Sequence, residues 1–145
     1  MSIKFHLIIF LQKISKEWRN VEVKVGDRTI IGVHVPKGDK KYWDSLIELY
    51  NNQNEEDQLL IIGDMNVYDK GTTQMEKFIE LLSLGAIDAW LEKGNPNDRP
   101  TANTKRRIDY AIMSPSLYSK LIDIDIDDTL RNEYVTDHSA IMVEV

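Results

Sequence analysis

"LLIIGDMNVYDKG", Leu59 to Gly71, sets four consecutive apolar residues against a glycine, an acid and, one residue further on, an amide. An apolar run of this length bounded by turn residues reads as a strand buried on both faces. Such a strand is a rigid base from which to aim Asp64 and Asn66 out of its tip.

On either side, the two periodicities alternate. "IKFHLIIFLQ" (Ile3 to Gln12) reads as a largely buried strand. "VEVKV" and "RTIIGVHV" are joined by Gly26-Asp27, which suits a two-residue type II′ hairpin. "KKYWDSLIELYNN" puts Trp43, Leu46, Ile47 and Tyr50 on one helical face. "TTQMEKFIELLSLG" predicts a second helix with Met75, Phe78, Ile79 and Leu82 inward, a Thr73–Glu76 capping box and a stop at Gly85. Ser114-Pro115 opens a short third helix. "IDIDID" predicts an edge strand with Ile122, Ile124 and Ile126 inward, its aspartates forming a solvated face, and "SAIMVEV" predicts the last strand. Between them "EKGNPNDRPTANTKRR" (Glu92 to Arg107) is a long polar loop of the kind that carries function. The expected fold is mixed α/β, of the α+β kind: a layered β-sandwich with flanking helices, in one domain over residues 1–145.

The chain has 145 residues, no cysteine and a net charge of −6. The absence of cysteine excludes disulfides and thiolate metal sites, and is compatible with a cytoplasmic location. The negative charge argues against a scaffold that grips long nucleic acid through many phosphates, though not against an enzyme that touches a few. The one compact basic cluster, Lys105, Arg106 and Arg107, reads by itself as a solvated loop. No apolar run approaches the length of a membrane span.

Polar residues recur where strands end. Besides Asp64 and Asn66 there are His34 inside an apolar strand, Asp109 in "RRIDYAIM", and Asp137-His138 ahead of the last strand. Singly, each has an ordinary structural explanation as a satisfied core residue or a turn former. Together, carboxylates, an amide and imidazoles without cysteine form a hard donor set suited to Mg²⁺ or Mn²⁺ and to neutralising charge on a phosphate.

In this order "IIGDMN", "RRIDYAI" and "VTDHSAI" resemble the GD-x-N, RIDY and SDH motifs of the endonuclease/exonuclease/phosphatase (deoxyribonuclease I-like) superfamily, over about Val21 to Val145. "GVHVP" resembles the H-x-P strand of its deoxyribonuclease-like and sphingomyelinase-like branches, and so tilts away from the abasic-site enzymes. The resemblance implies divalent-metal-dependent hydrolysis of a phosphoric ester by in-line attack of water. Asp64 would handle the proton of the attacking water or leaving oxygen, and Asn66 would bind the scissile phosphate. Asp109 would orient a catalytic neighbour, His138 would act as base or charge stabiliser, and His34 would be the leaving-group acid. Asp64, Asn66 and Asp137 would hold the metal, while Thr101 and Arg107 join Asn66 in binding substrate. Nucleic acids, lipid phosphodiesters and inositol phosphates all fit as substrates.

The sequence departs from the family pattern in three places: Met65 stands where an aromatic is common, Thr136 replaces the serine of SDH, and no aromatic follows Thr101. The family's earlier half, with its metal-binding Glu and an Asn, has no counterpart here. This leaves two readings, an active hydrolase or an inactive remnant that binds phosphate. It also predicts an uncovered apolar sheet face and a homo-oligomer that covers it.

Overall fold

The computed structural model describes residues 4–5 and 20–145. Two sheets make the core. The five-stranded one runs in the order β2 (Asn20–Val25), β3 (Arg28–His34), β4 (Gln58–Asp64), β6 (Asp109–Met113), β5 (Ile87–Asp88). The three-stranded one runs β1 (Lys4–Phe5), β8 (Ala140–Glu144), β7 (Asp123–Asp127). All pairings are antiparallel except β3 with β4. The strand expected over Ile3 to Gln12 lies outside the described residues apart from β1.

Every residue of β4 is buried, because it is covered on both faces. Leu59 and Ile61 point to a layer formed by helices α1 (Lys40–Asn51) and α2 (Thr73–Ser83), where Trp43, Leu46, Tyr50, Phe78 and Leu81 pack. Leu60 and Ile62 point the other way, onto Ile124, Ile126, Ile141 and Val143 of the second sheet. Each fully buried aliphatic side chain contributes roughly 1.5–3 kcal/mol, so this central strand anchors both layers. The sandwich with flanking helices is therefore the architecture expected from the sequence.

Several local expectations hold. The β2–β3 hairpin turns at Gly26 with φ +63°. Gly85, at φ +96°, ends α2. Ser114 caps α4 (Pro115–Tyr118) by accepting from the Leu117 N–H, and its Oγ also receives the Leu59 N–H at 3.0 Å. Other expectations need correction. The cap of α2 is Thr72, not Thr73, so no capping box with Glu76 forms. Of the four residues expected inward, Phe78 is buried and Met75 and Leu82 pack against the core, but Ile79 is exposed, and Gln74 and Leu81 are buried in addition. Ile122 precedes β7 and is exposed, whereas Ile124 and Ile126 are buried. A short helix α3 (Ala89–Glu92), capped by Asp88, and another, α5 (Thr129–Asn132), went unforeseen.

An uncovered apolar strip lies on β2, where Val21 and Val23 are exposed on the face that Ile30 shares. In register on the outer side of the small sheet stand Asp123 with Glu144, Asp125 with Met142, and Asp127 with Ala140. That surface is mainly acidic.

Gly63 makes the step out of β4 possible. Its φ is +138°, and a Cβ at this position would collide with the Val33 carbonyl oxygen of the neighbouring strand. Gly63→Ala is expected to lower stability by about 3 kcal/mol. Gly71→Ala, at φ +73° in open space, is expected to cost about 1 kcal/mol. Urea unfolding of the two variants measures the difference.

Candidate active site

The ends of three adjacent strands are level. Parallel pairing sets His34 of β3 opposite Asp64 of β4, and antiparallel pairing sets Asp64 opposite Asp109 of β6. Cross-strand partners share a face, so all three side chains stand on the face that meets the second sheet, at its rim. His138 arrives from that second sheet, on the lead-in to β8. Its Nδ1 lies 3.1 Å and 3.0 Å from the two carboxylate oxygens of Asp109. His34 Nε2 is 3.6 Å from Asp64 Oδ2. The sequence-separated residues His34, Asp64, Asp109 and His138 thus meet at one seam.

Asn66 joins them through its backbone. At φ +52° it adopts the left-handed conformation that asparagine tolerates, and its N–H donates to Asp64 Oδ1 at 2.8 Å. Its side-chain Nδ2 donates to the Val35 carbonyl at 2.9 Å, which leaves a second N–H available.

Electrostatics separate the roles of these groups. Burial raises the pKa of Asp64, reinforced by the neighbouring charge of Asp109 and opposed by the Asn66 N–H and by the two imidazoles. His138 is pushed up to about 9, chiefly by its hydrogen bond to Asp109 and against the effect of burial. At neutral pH it is an imidazolium clamped by a carboxylate.

Two expected substrate-binding residues are placed elsewhere. Thr101 is fully buried, and its hydroxyl accepts from the N–H groups of Ile108 and Asp109, both at 3.0 Å. Its carbonyl accepts from the Ser139 N–H at 2.7 Å. It therefore fixes the spacing between Asp109 and the His138 segment and has no surface for a substrate. Arg107 is also buried. It pairs with Asp88 and lies over the Tyr110 ring, 4.3 Å from its centroid, so it points into the core. The Tyr110 hydroxyl donates toward Val67 O at 2.8 Å and Arg107 O at 3.1 Å, tying together the two loops beside the site.

The sequence carries no signal for the Asp88–Arg107 pair, nor for which members of the basic cluster face solvent, where Lys105 and Arg106 are exposed and Arg107 is buried. It was also silent on Asp128, which accepts from Ser139 Oγ at 2.6 Å, Arg99 Nη2 at 2.9 Å and Arg131 Nη2 at 2.9 Å. Arg99 also holds Ile126 O and Arg131 holds Ala102 O, so this network pins the long loop against the second sheet.

The metal-ligand set does not assemble as expected. Among the described residues, no three His, Cys, Asp or Glu side chains are grouped to hold an ion. The Asp137 side chain is 76% exposed, with its carboxylate 3.9 Å from His138 Nε2. It stands on the rim, because the chain turns outward there before β8. Among the described residues Asp64 and Asn66 are joined by no third ligand of the expected set.

The fold is the deoxyribonuclease I-like fold. The 3′ phosphatase NExo from Neisseria, bound to a product DNA hairpin, is 18% identical with a TM-score of 0.72, over 86% of this chain and 63% of its own. The 3′-5′ exonuclease NExo from Neisseria meningitidis is 19% identical at TM-score 0.71, over 86% and 64%. An AP endonuclease from Archaeoglobus fulgidus is 19% identical at TM-score 0.69, over 88% and 64%. The chain thus spans less than two thirds of the length of these structures. No family model and no curated protein matches its sequence.

The Asp109–His138 pair makes a testable statement about pH. A histidine whose folded pKa exceeds its unfolded value of 6.5 contributes stability that is complete below that value and is lost as pH rises through about 9. The expected contribution is roughly 2 kcal/mol after allowance for partial solvent screening. Asp109→Asn is expected to return the His138 midpoint, followed by NMR titration, to the ordinary histidine range and to flatten this part of the stability–pH curve.

Proposed function

We propose that the chain hydrolyses a phosphoric ester by attack of water on phosphorus. The observation that carries this reading is the level register of His34, Asp64 and Asp109, with His138 reaching across from the other sheet to Asp109. The neighbours are a 3′ phosphatase seen with a DNA hairpin product, a 3′-5′ exonuclease and an AP endonuclease. They support phosphoric-ester chemistry. Of the three substrate classes the motifs imply, they favour nucleic acid.

Asp64, made more basic than an ordinary carboxylate, takes the proton of the attacking water as the new O–P bond forms. The P–O bond to the leaving group breaks in line. His34, half-exposed beside Asp64, supplies the proton that the departing oxygen needs. His138, already charged at neutral pH, is unsuited to act as base. It stabilises the negative charge developing on the phosphoryl oxygens, and Asp109 fixes its orientation and its charge. The free Nδ2–H of Asn66 binds a non-bridging oxygen.

A divalent cation, Mg²⁺ or Mn²⁺, belongs to the reading taken from the sequence. The described residues do not complete a cage for one, so no step here is assigned to it. The same observation favours the second reading, a module that binds phosphate without turnover. Asp64→Asn separates the two. If the chain is a hydrolase, kcat on a phosphodiester is expected to fall at least about a hundredfold, with little change in KM. Absence of turnover in the parent chain with millimolar Mg²⁺ or Mn²⁺ supports the inactive remnant instead.

The rate is expected to follow a bell in pH. It rises as Asp64 ionises, at a pH above the ordinary aspartate range, and falls on the alkaline side because both His34 and His138 must carry their protons, His138 losing its own near 9. A pH profile of kcat/KM that lacks the alkaline fall contradicts the roles given to His34 and His138.

A further inference from the structure

Three loops leave the strand ends that carry the site, and a single aromatic ring joins them. Tyr68 lies two residues beyond Asn66, on the loop after β4. Lys37, three residues beyond His34, places Nζ 5.6 Å from the centroid of its ring. Arg106, three residues before Asp109, places its guanidinium carbon 4.2 Å from the same centroid. Chain reach alone keeps Tyr68 within roughly 7 Å of Asn66, and Lys37 within roughly 11 Å of His34, between α-carbons. The two cations therefore stand on the loops that flank the strand ends carrying His34, Asp64 and Asp109.

They are also unusually free to serve a ligand. Both are exposed, and Lys37 has no carboxylate partner among the described residues. Among the described residues Arg106 pairs only with Asp69, at 3.6 Å and itself exposed. Attraction to the ring restrains both side chains without neutralising them, so less freedom is lost when an anion binds. Two positive charges held together on a protein of net charge −6 make a local anion site against the general field.

We propose that Lys37 and Arg106, braced on Tyr68, form a second-phosphate subsite, so that the preferred substrate carries another phosphate group beside the one that reacts. This rests on the phosphoric-ester reading of the central site and specifies its substrate. An oligonucleotide strand offers such a phosphate, and so does a small polyphosphorylated ester. A simple diester with one phosphate does not.

The test compares the parent chain with Lys37→Gln, Arg106→Gln and the double variant on three substrates: a short single-stranded DNA, an inositol polyphosphate and bis(p-nitrophenyl) phosphate. On the multiply phosphorylated substrate, kcat/KM is expected to fall roughly fivefold for each cation removed, with a much smaller change on the single-phosphate diester. Loss confined to the DNA assigns the subsite to a nucleic acid strand, and loss confined to the inositol ester assigns it to a small polyanion. Equal losses on all three substrates, or none on any, overturn the proposal.

Binding of the fluorescent DNA to Asp64→Asn chains, followed by anisotropy, tests the subsite without turnover. Each cation removed is expected to reduce the slope of log affinity against log salt by about 0.7. If the parent chain hydrolyses nothing but this slope still changes, the catalytic reading fails and the subsite stands. An unchanged slope removes the subsite whatever the activity.

Discussion

β4 is paired along its whole length with β3 on one side and from Leu60 to Asp64 with β6 on the other. The register of those two ladders fixes where His34, Asp64 and Asp109 stand relative to one another. A slip of one residue in either ladder would turn one of the three onto the helical face, where Ile31, Ile61 and Ile112 now pack. Burial of alternate residues on two different layers makes such a slip costly. The geometry of the polar site is therefore enforced by apolar packing several residues away from it.

That packing brings together two carboxylates that would otherwise repel. Asp64 and Asp109 are opposite neighbours in the sheet and both largely buried. The arrangement is tolerable because each faces an imidazole and because Asn66 folds its N–H back onto Asp64. The two residues end in different states. Asp109 is engaged with His138 through both oxygens. Asp64 has a looser contact with His34 and is held above its usual pKa by burial. Different environments give two like groups different chemical duties.

The other half of the site depends on contacts between the sheets. His138 can meet Asp109 only because Thr101 lies between their backbones, accepting from Asp109 N–H on one side and from Ser139 N–H on the other. Asp128 extends this seam outward. Burial opposes its charge, but the Ser139 hydroxyl and the Arg99 and Arg131 guanidinium groups hold its carboxyl below the usual range. The loop from Glu92 to Arg107 is thus an anchored strap, although its sequence reads as a string of turn residues. Its Arg107 faces the core while the adjacent Arg106 faces solvent beside Tyr68.

The sequence by itself determined the elements and the chemistry on their ends. Apolar runs, one hairpin glycine, one helix stop and one proline cap specify most strands and the two long helices, because each is a local preference of the backbone. The motifs around Asp64, Asp109 and His138 were legible as well, since chemistry at a strand end interrupts the apolar pattern. The tertiary structure alone decided which polar residues face the site. Thr101 and Arg107 carry suitable groups but spend them on backbone N–H groups and on Asp88, whereas Lys37, Tyr68 and Arg106 lie far apart in the chain and meet only across three loops. Side-chain direction and long-range pairing are properties of the packed core, in which each position is set by neighbours that no local stretch of sequence contains.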